Sequence, residues 1–153
     1  MTHATDADPF DLDRFVSAQE AIYARVLTEL GRGRKASHWM WFIFPQVAGL
    51  GVSDMSRFYA IRSLKEAQAY LAQSVLGARY RECVAVVQDL VGTTAEAVFG
   101  PIDAVKFCSS LTLFSEAAPG DPLFTAALRR WFRDEKDERT IDLLRRNGIA
   151  RDS

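Results

Sequence analysis

The sequence has little cysteine and no long apolar run. Cys83 and Cys108 are its only cysteines, and they show no Cys-x-x-Cys or Cys-His spacing. A disulfide scaffold is therefore excluded, and both thiols are expected to be reduced and buried. No segment approaches the ~18 uncharged apolar residues that a transmembrane helix needs. We therefore predict a cytoplasmic protein that does not bind membranes.

Histidine is equally scarce, and the formal charges nearly cancel. His3 and His38 have no second histidine or carboxylate at metal-ligand spacing, so no metal site is predicted, and no other cofactor is indicated. The 19 Lys and Arg residues face 20 Asp and Glu residues, for a formal net charge of -1. Nucleic acid is therefore not expected as the primary partner, because dedicated nucleic-acid binders are normally basic.

Most of the chain follows an amphipathic helical pattern with recognisable starts and stops. The pattern predicts one long first helix that ends at Gly31 and a last short helix that ends at Asn147-Gly148. Further starts are predicted at the capping boxes Ser63–Glu66 and Thr93–Glu96, and at Asp103 and Asp121. The apolar stripes place Leu64 and Val91 in the core.

No alternating strand or hairpin signal is present in the sequence. We predict an all-α fold, a single compact domain of about seven or eight helices spanning residues 9–147. Residues 1–8 are expected to form a flexible polar leader and residues 148–153 a short polar tail.

The segment from Gly31 to Gln46 departs from the helical pattern. It places three cations, Arg32, Arg34 and Lys35, directly before four aromatic residues within six positions. Glycine amides and cations can hold an anion, and aromatic faces can hold a flat ring, which is the layout of a nucleotide. The alternative is a solvated cationic turn followed by core residues, which we favour for residues 42–44. For Trp39 and Trp41, core and ligand platform both remain open.

Two candidate residues and one glycine turn have both a chemical and a structural interpretation. His38 is suited to general acid or base catalysis near neutral pH, although a structural hydrogen bond is the commoner role of a lone histidine. Glu66 completes a capping box and lies four residues after Arg62, which predicts an ion pair. The turn at residues 49–51 lacks the context of a dinucleotide fingerprint and is interpreted as a plain turn.

Two further polar groups fall outside that segment. One contains Arg57 and Tyr59, and the other places Lys106, Ser109 and Ser110 on one helical face, where small polar residues indicate a packing or ligand constraint. The complete set of predicted ligand-binding residues is Arg34, Lys35, Ser37, Trp39, Trp41, Gln46, Arg57, Tyr59, Lys106, Ser109 and Ser110.

The same stretches resemble a bacterial family known as domain of unknown function 1810, some members of which are labelled calpastatin-like. The resemblance rests on the run from Gly33 to Gln46, on Gly49-Leu50-Gly51, and on the segment from Ser109 to Phe114. It extends from about Asp8 to Leu144. It implies a compact helical domain and no established reaction.

A basic, aromatic opening motif, the Glu66-Ala67 helix, the step Leu76-Gly77-Ala78-Arg79 and a late Lys106-Phe107 form a second pattern. Its layout is similar, more distantly, to the NADAR superfamily, whose helical proteins are linked to NAD and ADP-ribose chemistry. This likeness implies a carboxylate that stabilises an oxocarbenium-like state, for which Glu66 and Asp103 are the candidates. It further implies a phosphate clamp of Arg34, Lys35 and Lys106. Together with His38, the two carboxylates make up the predicted catalytic residues.

Two hypotheses follow from the sequence. The first is a cleft for a phosphorylated, nucleoside-type small molecule, an ADP-ribose or NAD derivative, with hydrolysis of its N-glycosidic bond as a further expectation. It predicts that Arg34 or Lys35, one of the two tryptophans, and Lys106 or Ser109 line one pocket. The second is a non-enzymatic interaction module that presents the aromatic segment as a flat patch.

Overall fold

The computed structural model describes the backbone of residues 7–152 and the side chains of residues 7–147. The all-α prediction is confirmed, since this range contains ten helices, seven of which have eight or more residues. Its only β-type pairing is an isolated parallel bridge between Val47 and Ile61. The helices are α1 (Asp13–Glu20), α2 (Tyr23–Gly31), α3 (Met40–Ile43), α4 (Asp54–Phe58), α5 (Leu64–Ala72), α6 (Ser74–Gln88), α7 (Ala95–Phe99), α8 (Pro101–Ala117), α9 (Pro122–Phe132) and α10 (Glu138–Asp152).

Capping residues start several of these helices close to the predicted positions. The Ser63 hydroxyl accepts a 3.0 Å hydrogen bond from the Glu66 amide, and Asp121 caps α9 with Pro122 at the first helical position. Two starts are displaced from the prediction. Thr94, not Thr93, caps α7, and α8 begins at Pro101, two residues before Asp103.

The two ends of the chain differ from the predicted helices. The long first helix is broken between α1 and α2, where the Ile22 amide bonds the carbonyl of Gln19, three residues earlier. Because neither proline nor glycine lies at this break, the local pattern gives no sign of it. At the other end, α10 continues through Asn147 and Gly148 to Asp152. Most of the predicted leader, residues 1–6, lies outside the described residues.

Helix α8 is the centre of the fold and packs against α5, α7, α9 and α10. Its fully buried Phe107 lies edge-on to Phe44, with ring centroids 4.8 Å apart. Phe42, Ile43 and Phe44 are all buried, which confirms their assignment to the core. The placement of Leu64 and Val91 in the core is wrong, since 37% and 87% of these residues are exposed, respectively.

The N-terminal half of α8 is covered on one side by the non-helical chain around α4 and by the start of α10. Residues 44–63 cross from α3 to α5, and the Ile61 amide bonds the Gln46 carbonyl at 2.9 Å. This pairing holds together the two ends of residues 44–63, the crossing segment. The middle of the segment covers one side of α8. Within residues 7–152, no helix combines the length and apolarity that a membrane span requires.

Candidate ligand-binding cleft

A cleft of about 680 Å³ opens between the crossing segment, the N-terminal half of α8 and the start of α10. Its walls come from residues 46–51, from part of the segment 56–62 (Ser56, Arg57, Tyr59, Ala60 and Arg62), from one side of α8 (Pro101, Ile102, Val105, Lys106 and Ser109), and from Trp41, Asp137 and Arg139. This volume lies within the range typical of small-molecule sites. Because the lining residues lie as much as 98 positions apart, only the tertiary structure brings them together.

Six of the predicted ligand-binding residues line this cleft. They are Trp41, Gln46, Arg57, Tyr59, Lys106 and Ser109. The Lys106 ammonium lies 5.3 Å from the centre of a Trp41 ring, so the tryptophan and the cation occupy the same part of the site. Burial raises the pKa of Tyr59 against the opposing effect of the Arg14 charge, and its hydroxyl therefore stays a neutral hydrogen-bond donor.

The lining is rich in positive charge. Arg57, Arg62, Lys106 and Arg139 contribute cations, and Asp137 is the one carboxylate among the described lining residues. One Asp137 oxygen already accepts from the amide and the hydroxyl of Thr140, at 2.9 and 2.6 Å. In the described chain neither Arg57 nor Arg62 forms an ion pair, so both guanidinium groups are free for an anion.

The glycine turn at residues 49–51 forms part of the same wall. Gly49 has a φ of 103°, in the region that favours glycine, and a β-carbon on Gly51 would lie only 2.5 Å from the Ser56 hydroxyl oxygen. Among the hydrogen bonds of the described residues, none is donated by the amides of residues 49–51. The turn therefore offers unengaged N–H groups beside the arginines, which is more than the plain turn that the sequence predicted.

Lys35 and Asp103 lie behind the cleft and do not line it. One oxygen of Asp103 lies 2.9 Å from the Lys35 nitrogen, and the other lies 3.5 Å from the Lys106 nitrogen. The two lysines therefore share one carboxylate and do not point into separate regions of solvent. Asp103, predicted to be catalytic, is placed to position Lys106 within the cleft.

The segment predicted to hold an anion surrounds a carboxylate of the protein itself, and the donors are residues 36–39, not the glycine amides and cations of residues 31–35. Glu29 is 2% exposed, and its oxygens accept from the amides of Ala36 and Ser37, the Ser37 hydroxyl and the Trp39 indole, at 2.6 to 3.0 Å. Although burial alone would raise the pKa of Glu29, these four hydrogen bonds lower it to about 2. Ser37 and the fully buried Trp39 thus bond Glu29 and do not line the cleft.

Arg34 and His38 are exposed on the same segment and lie outside the lining of the cleft. Of the predicted phosphate clamp of Arg34, Lys35 and Lys106, only Lys106 lines the cleft. The other cations among the lining residues are Arg57, Arg62 and Arg139.

Glu66 and Ser110 also have structural partners in place of the predicted ligand. Glu66 is 3% exposed and forms a 2.7 Å ion pair with Arg14. Its second oxygen accepts from the backbone amide of Arg62, so the predicted side-chain pair with Arg62 is wrong. The buried Ser110 hydroxyl lies 2.9 Å from the Tyr80 hydroxyl, which explains this serine by packing.

Arg14 was missed by the sequence analysis, although it holds the backbone carbonyl of Ala60, a residue that lines the cleft. Its guanidinium makes five hydrogen bonds, to the carbonyls of Phe10, Asp11, Phe58 and Ala60 and to Glu66, at 2.7 to 2.9 Å. All five of its N–H donors are therefore used. Four of these partners are backbone carbonyls, which carry no signal in the sequence.

The described residues offer little support for nucleophilic or metal chemistry. Burial raises the pKa of Cys83 to about 12 and that of Cys108 to about 11, so neither thiol is a ready nucleophile at neutral pH. No group of three His, Cys, Asp or Glu side chains in this part of the chain is arranged to hold a metal ion. The cleft is lined by cations, aromatic rings, neutral hydrogen-bonding groups and the carboxylate of Asp137.

Comparison with known proteins agrees with this fold. The chain superimposes with a TM-score of 0.89 on the crystal structure of the conserved hypothetical protein Rv1873 from Mycobacterium tuberculosis. The two are 48% identical, over 90% of this chain and 99% of the other. No curated protein matches the chain. The family model "Protein of unknown function (DUF1810)" matches residues 9–144, and the chain therefore belongs to the DUF1810 family.

Proposed function

We propose that the cleft binds a phosphorylated, nucleoside-type small molecule, such as an ADP-ribose or NAD derivative. The observation that carries the proposal is that two aromatic residues, Trp41 and Tyr59, line the same cleft as the unpaired guanidinium groups of Arg57 and Arg62. Guanidinium groups match the oxygens of a phosphate in a two-pronged hydrogen bond, and aromatic faces stack on a base. The ligand class suggested by the NADAR likeness is the same, although that likeness stays a prediction.

Gln46 supplies the neutral polar contact that a base requires. Its side-chain amide lines the cleft and makes no hydrogen bond to any described residue. An amide both donates and accepts, so it can pair with an amino group and a ring nitrogen on the edge of a base. Gln46 therefore complements the ring platform and the phosphate-binding arginines.

The alternative hypothesis, an interaction module, required the aromatic segment to form a flat exposed patch, and this patch is not formed. Within the aromatic segment, Trp39, Phe42 and Phe44 are buried, and the half-buried Trp41 faces a concave site. The exposed apolar residues Ile102 and Val105 lie along the same cleft, at 72% and 60% exposure, where they would contact a bound ring or sugar. The geometry thus favours a small-molecule ligand.

Hydrolysis of the N-glycosidic bond requires a carboxylate close to the ribose. Glu66, Asp103 and His38 all lie outside the lining of the cleft, which leaves Asp137 as the carboxylate for this role among the described residues. Asparagine also caps helices well, so the Asp137→Asn variant keeps the start of α10. If the protein cleaves NAD, this variant should bind NAD but release no nicotinamide.

Thermal-shift measurements against NAD, ADP-ribose, nucleotides and sugar phosphates test the proposal. A ligand at 100 times its dissociation constant stabilises the fold by about 2.7 kcal/mol, which is readily seen as a shift in melting temperature. Trp41→Ala and Arg57→Ala should reduce the shift, whereas Arg25→Ala, at an exposed position on α2, should leave it unchanged. The absence of any shift across this panel would instead favour the interaction module.

A further inference from the structure

A second cavity adjoins the cleft and shares one arginine with it. This cavity, of about 370 Å³, lies between the chain before α1, the end of α4 and the start of α5, and Arg62 lines both spaces. The Arg62 guanidinium is exposed and makes no ion pair with a described residue. A single phosphate-binding group therefore stands between two adjacent cavities.

Asp11 is the unusual residue in the second cavity. Its φ of 52° is left-handed, a conformation that is uncommon for residues other than glycine. Its carboxylate accepts no hydrogen bond from the described chain. One of its oxygens is fully buried without a partner, so a ligand can reach only the other oxygen. Strained backbone and an unsatisfied buried acceptor are features that proteins concentrate at binding sites.

The other groups in this cavity suit the sugar and ring of a nucleoside. A carboxylate is the group that commonly accepts from ribose hydroxyls, and Asp11 is available for this role. Phe58 is 56% exposed at the edge of the cavity and offers an aromatic face. By contrast, both oxygens of Glu66, in the same wall, already bind Arg14 and the Arg62 amide. Asp11 is therefore the carboxylate that can accept from ribose hydroxyls.

We infer that the natural ligand is a dinucleotide, two nucleosides joined by a pyrophosphate, whose halves occupy the two cavities. This inference rests on the proposed function. One base stacks near Trp41 and the other near Phe58, while Arg62 and Arg57 bind the pyrophosphate between them. Asp11 accepts from the ribose hydroxyls of the second half.

The test compares NAD with its two mononucleotide halves, AMP and nicotinamide mononucleotide, by isothermal titration calorimetry on the full chain. NAD should bind at least tenfold more tightly than either half, since base stacking and a charged hydrogen bond each contribute about a factor of ten or more. Phe58→Ala and Asp11→Asn should remove most of this advantage and leave the affinity for the better-binding mononucleotide unchanged. Trp41→Ala should weaken NAD and that mononucleotide alike.

Matched controls separate these effects from damage to the fold. Asp134→Asn changes another aspartate at positive φ, 64°, that lies outside both cavities, and Val91→Ala shortens an apolar side chain that is 87% exposed. Both should bind NAD as the unmodified protein does. Equal affinity for NAD and a mononucleotide, or full NAD affinity in Phe58→Ala and Asp11→Asn, would overturn the inference while leaving the proposed function standing. Failure of all three probes to bind would overturn both.

Discussion

At the scale of single residues, Glu29 organises the segment that the sequence analysis assigned to a ligand. Its carboxylate accepts from two backbone amides, one hydroxyl and one indole of residues 36–39. These donors would otherwise be left unsatisfied beside the core, and an unsatisfied buried group is costly. Glu29 therefore fixes the orientation of Trp39 and, through the same segment, the position of Lys35 behind the cleft.

Replacing Glu29 with glutamine should destabilise the fold by about 2–3 kcal/mol, because an amide turns one donor toward groups that are themselves donors. Urea unfolding at pH 7 measures this loss. Glu96→Gln, at an exposed position on α7, is the matched control and should change the free energy of unfolding by less than about 0.5 kcal/mol. Equal stabilities of the two variants would show that Glu29 does not hold the segment.

The pH dependence of stability should also identify Glu29. Its pKa is about 2 in the folded chain against an ordinary value of 4.5, so the unfolded state takes up the proton first as the pH falls. The contribution of ionised Glu29 to the free energy of unfolding is therefore fully present above about pH 4.5, and it is lost as the pH falls toward 2. Urea midpoints measured from pH 7 to pH 2.5 should show the gap between the unmodified protein and Glu29→Gln narrowing across this window. A constant gap would contradict the assignment.

At the scale of elements, α10 closes the cleft by packing onto the glycine turn. Arg139 donates to the Gly49 carbonyl at 3.5 Å, Asn147 donates to the Arg62 carbonyl at 3.4 Å, and Leu143 lies against Gly49. The turn and the helix therefore hold each other in place. A change in this contact should affect both the stability of α10 and the shape of the cleft.

Gly49→Ala tests this contact. The substitution forces alanine to a φ of 103° and places its β-carbon 3.1 Å from Leu143, so we expect a loss of about 2–3 kcal/mol and weaker binding of the ligand. Gly92→Ala is the control, since Gly92 also has a positive φ, 66°, but nothing lies within 4 Å of a β-carbon there. It should cost about 1 kcal/mol, with no change in affinity. Equal effects of both variants on affinity would argue against a cleft at the turn.

At the scale of the whole molecule, one aromatic core connects the elements that carry the cleft. Phe44 of the crossing segment contacts rings of Tyr80, Phe99 and Phe107, at centroid distances of 4.8 to 5.8 Å. The segment that follows Phe44 forms the wall of the cleft, so the wall is anchored in the same core as α6, α7 and α8. The cleft and the core should therefore unfold together.

We expect one two-state unfolding transition for the whole chain. Trp39 lies in the core, Trp41 in the cleft and Trp131 on α9, so tryptophan fluorescence reports on three parts of the fold, while far-ultraviolet circular dichroism reports on the helices. The two signals should give the same urea midpoint. A fluorescence change that precedes the loss of helix would mean that the cleft opens independently of the core.

The helices were largely predictable because their signals are local. Ser63 and Asp121 cap helices within three residues of their own positions, and the apolar spacing of α6 and α9 marks the faces that they bury. The break between α1 and α2 was missed because no local residue type marks it. The prediction that Leu64 is buried was wrong. Its spacing matches the apolar stripe, but it lies at the edge of that stripe, which is exposed to solvent.

The candidate site was predictable only in part, for the same reason. Residue type and spacing predicted Trp41, Arg57, Tyr59 and Lys106 as binding groups, and the structure places all four in one cleft. Arg34 and Trp39 have the same chemistry but lie on a segment that closes around Glu29. That carboxylate lies within the α2 stripe, and nothing near it in the sequence shows that it accepts four hydrogen bonds.

The sequence by itself determined that this chain is an all-α protein with aromatic residues in its core. These properties depend on residue type and on spacings of a few positions, which local physical chemistry fixes. Only the tertiary structure decided which cations meet the aromatic rings, since it bonds Glu29 to residues 36–39 and pairs Glu66 with Arg14. Arg57, Arg62 and Arg139 remain facing the cleft because contacts between distant segments, which no local pattern encodes, bring them there.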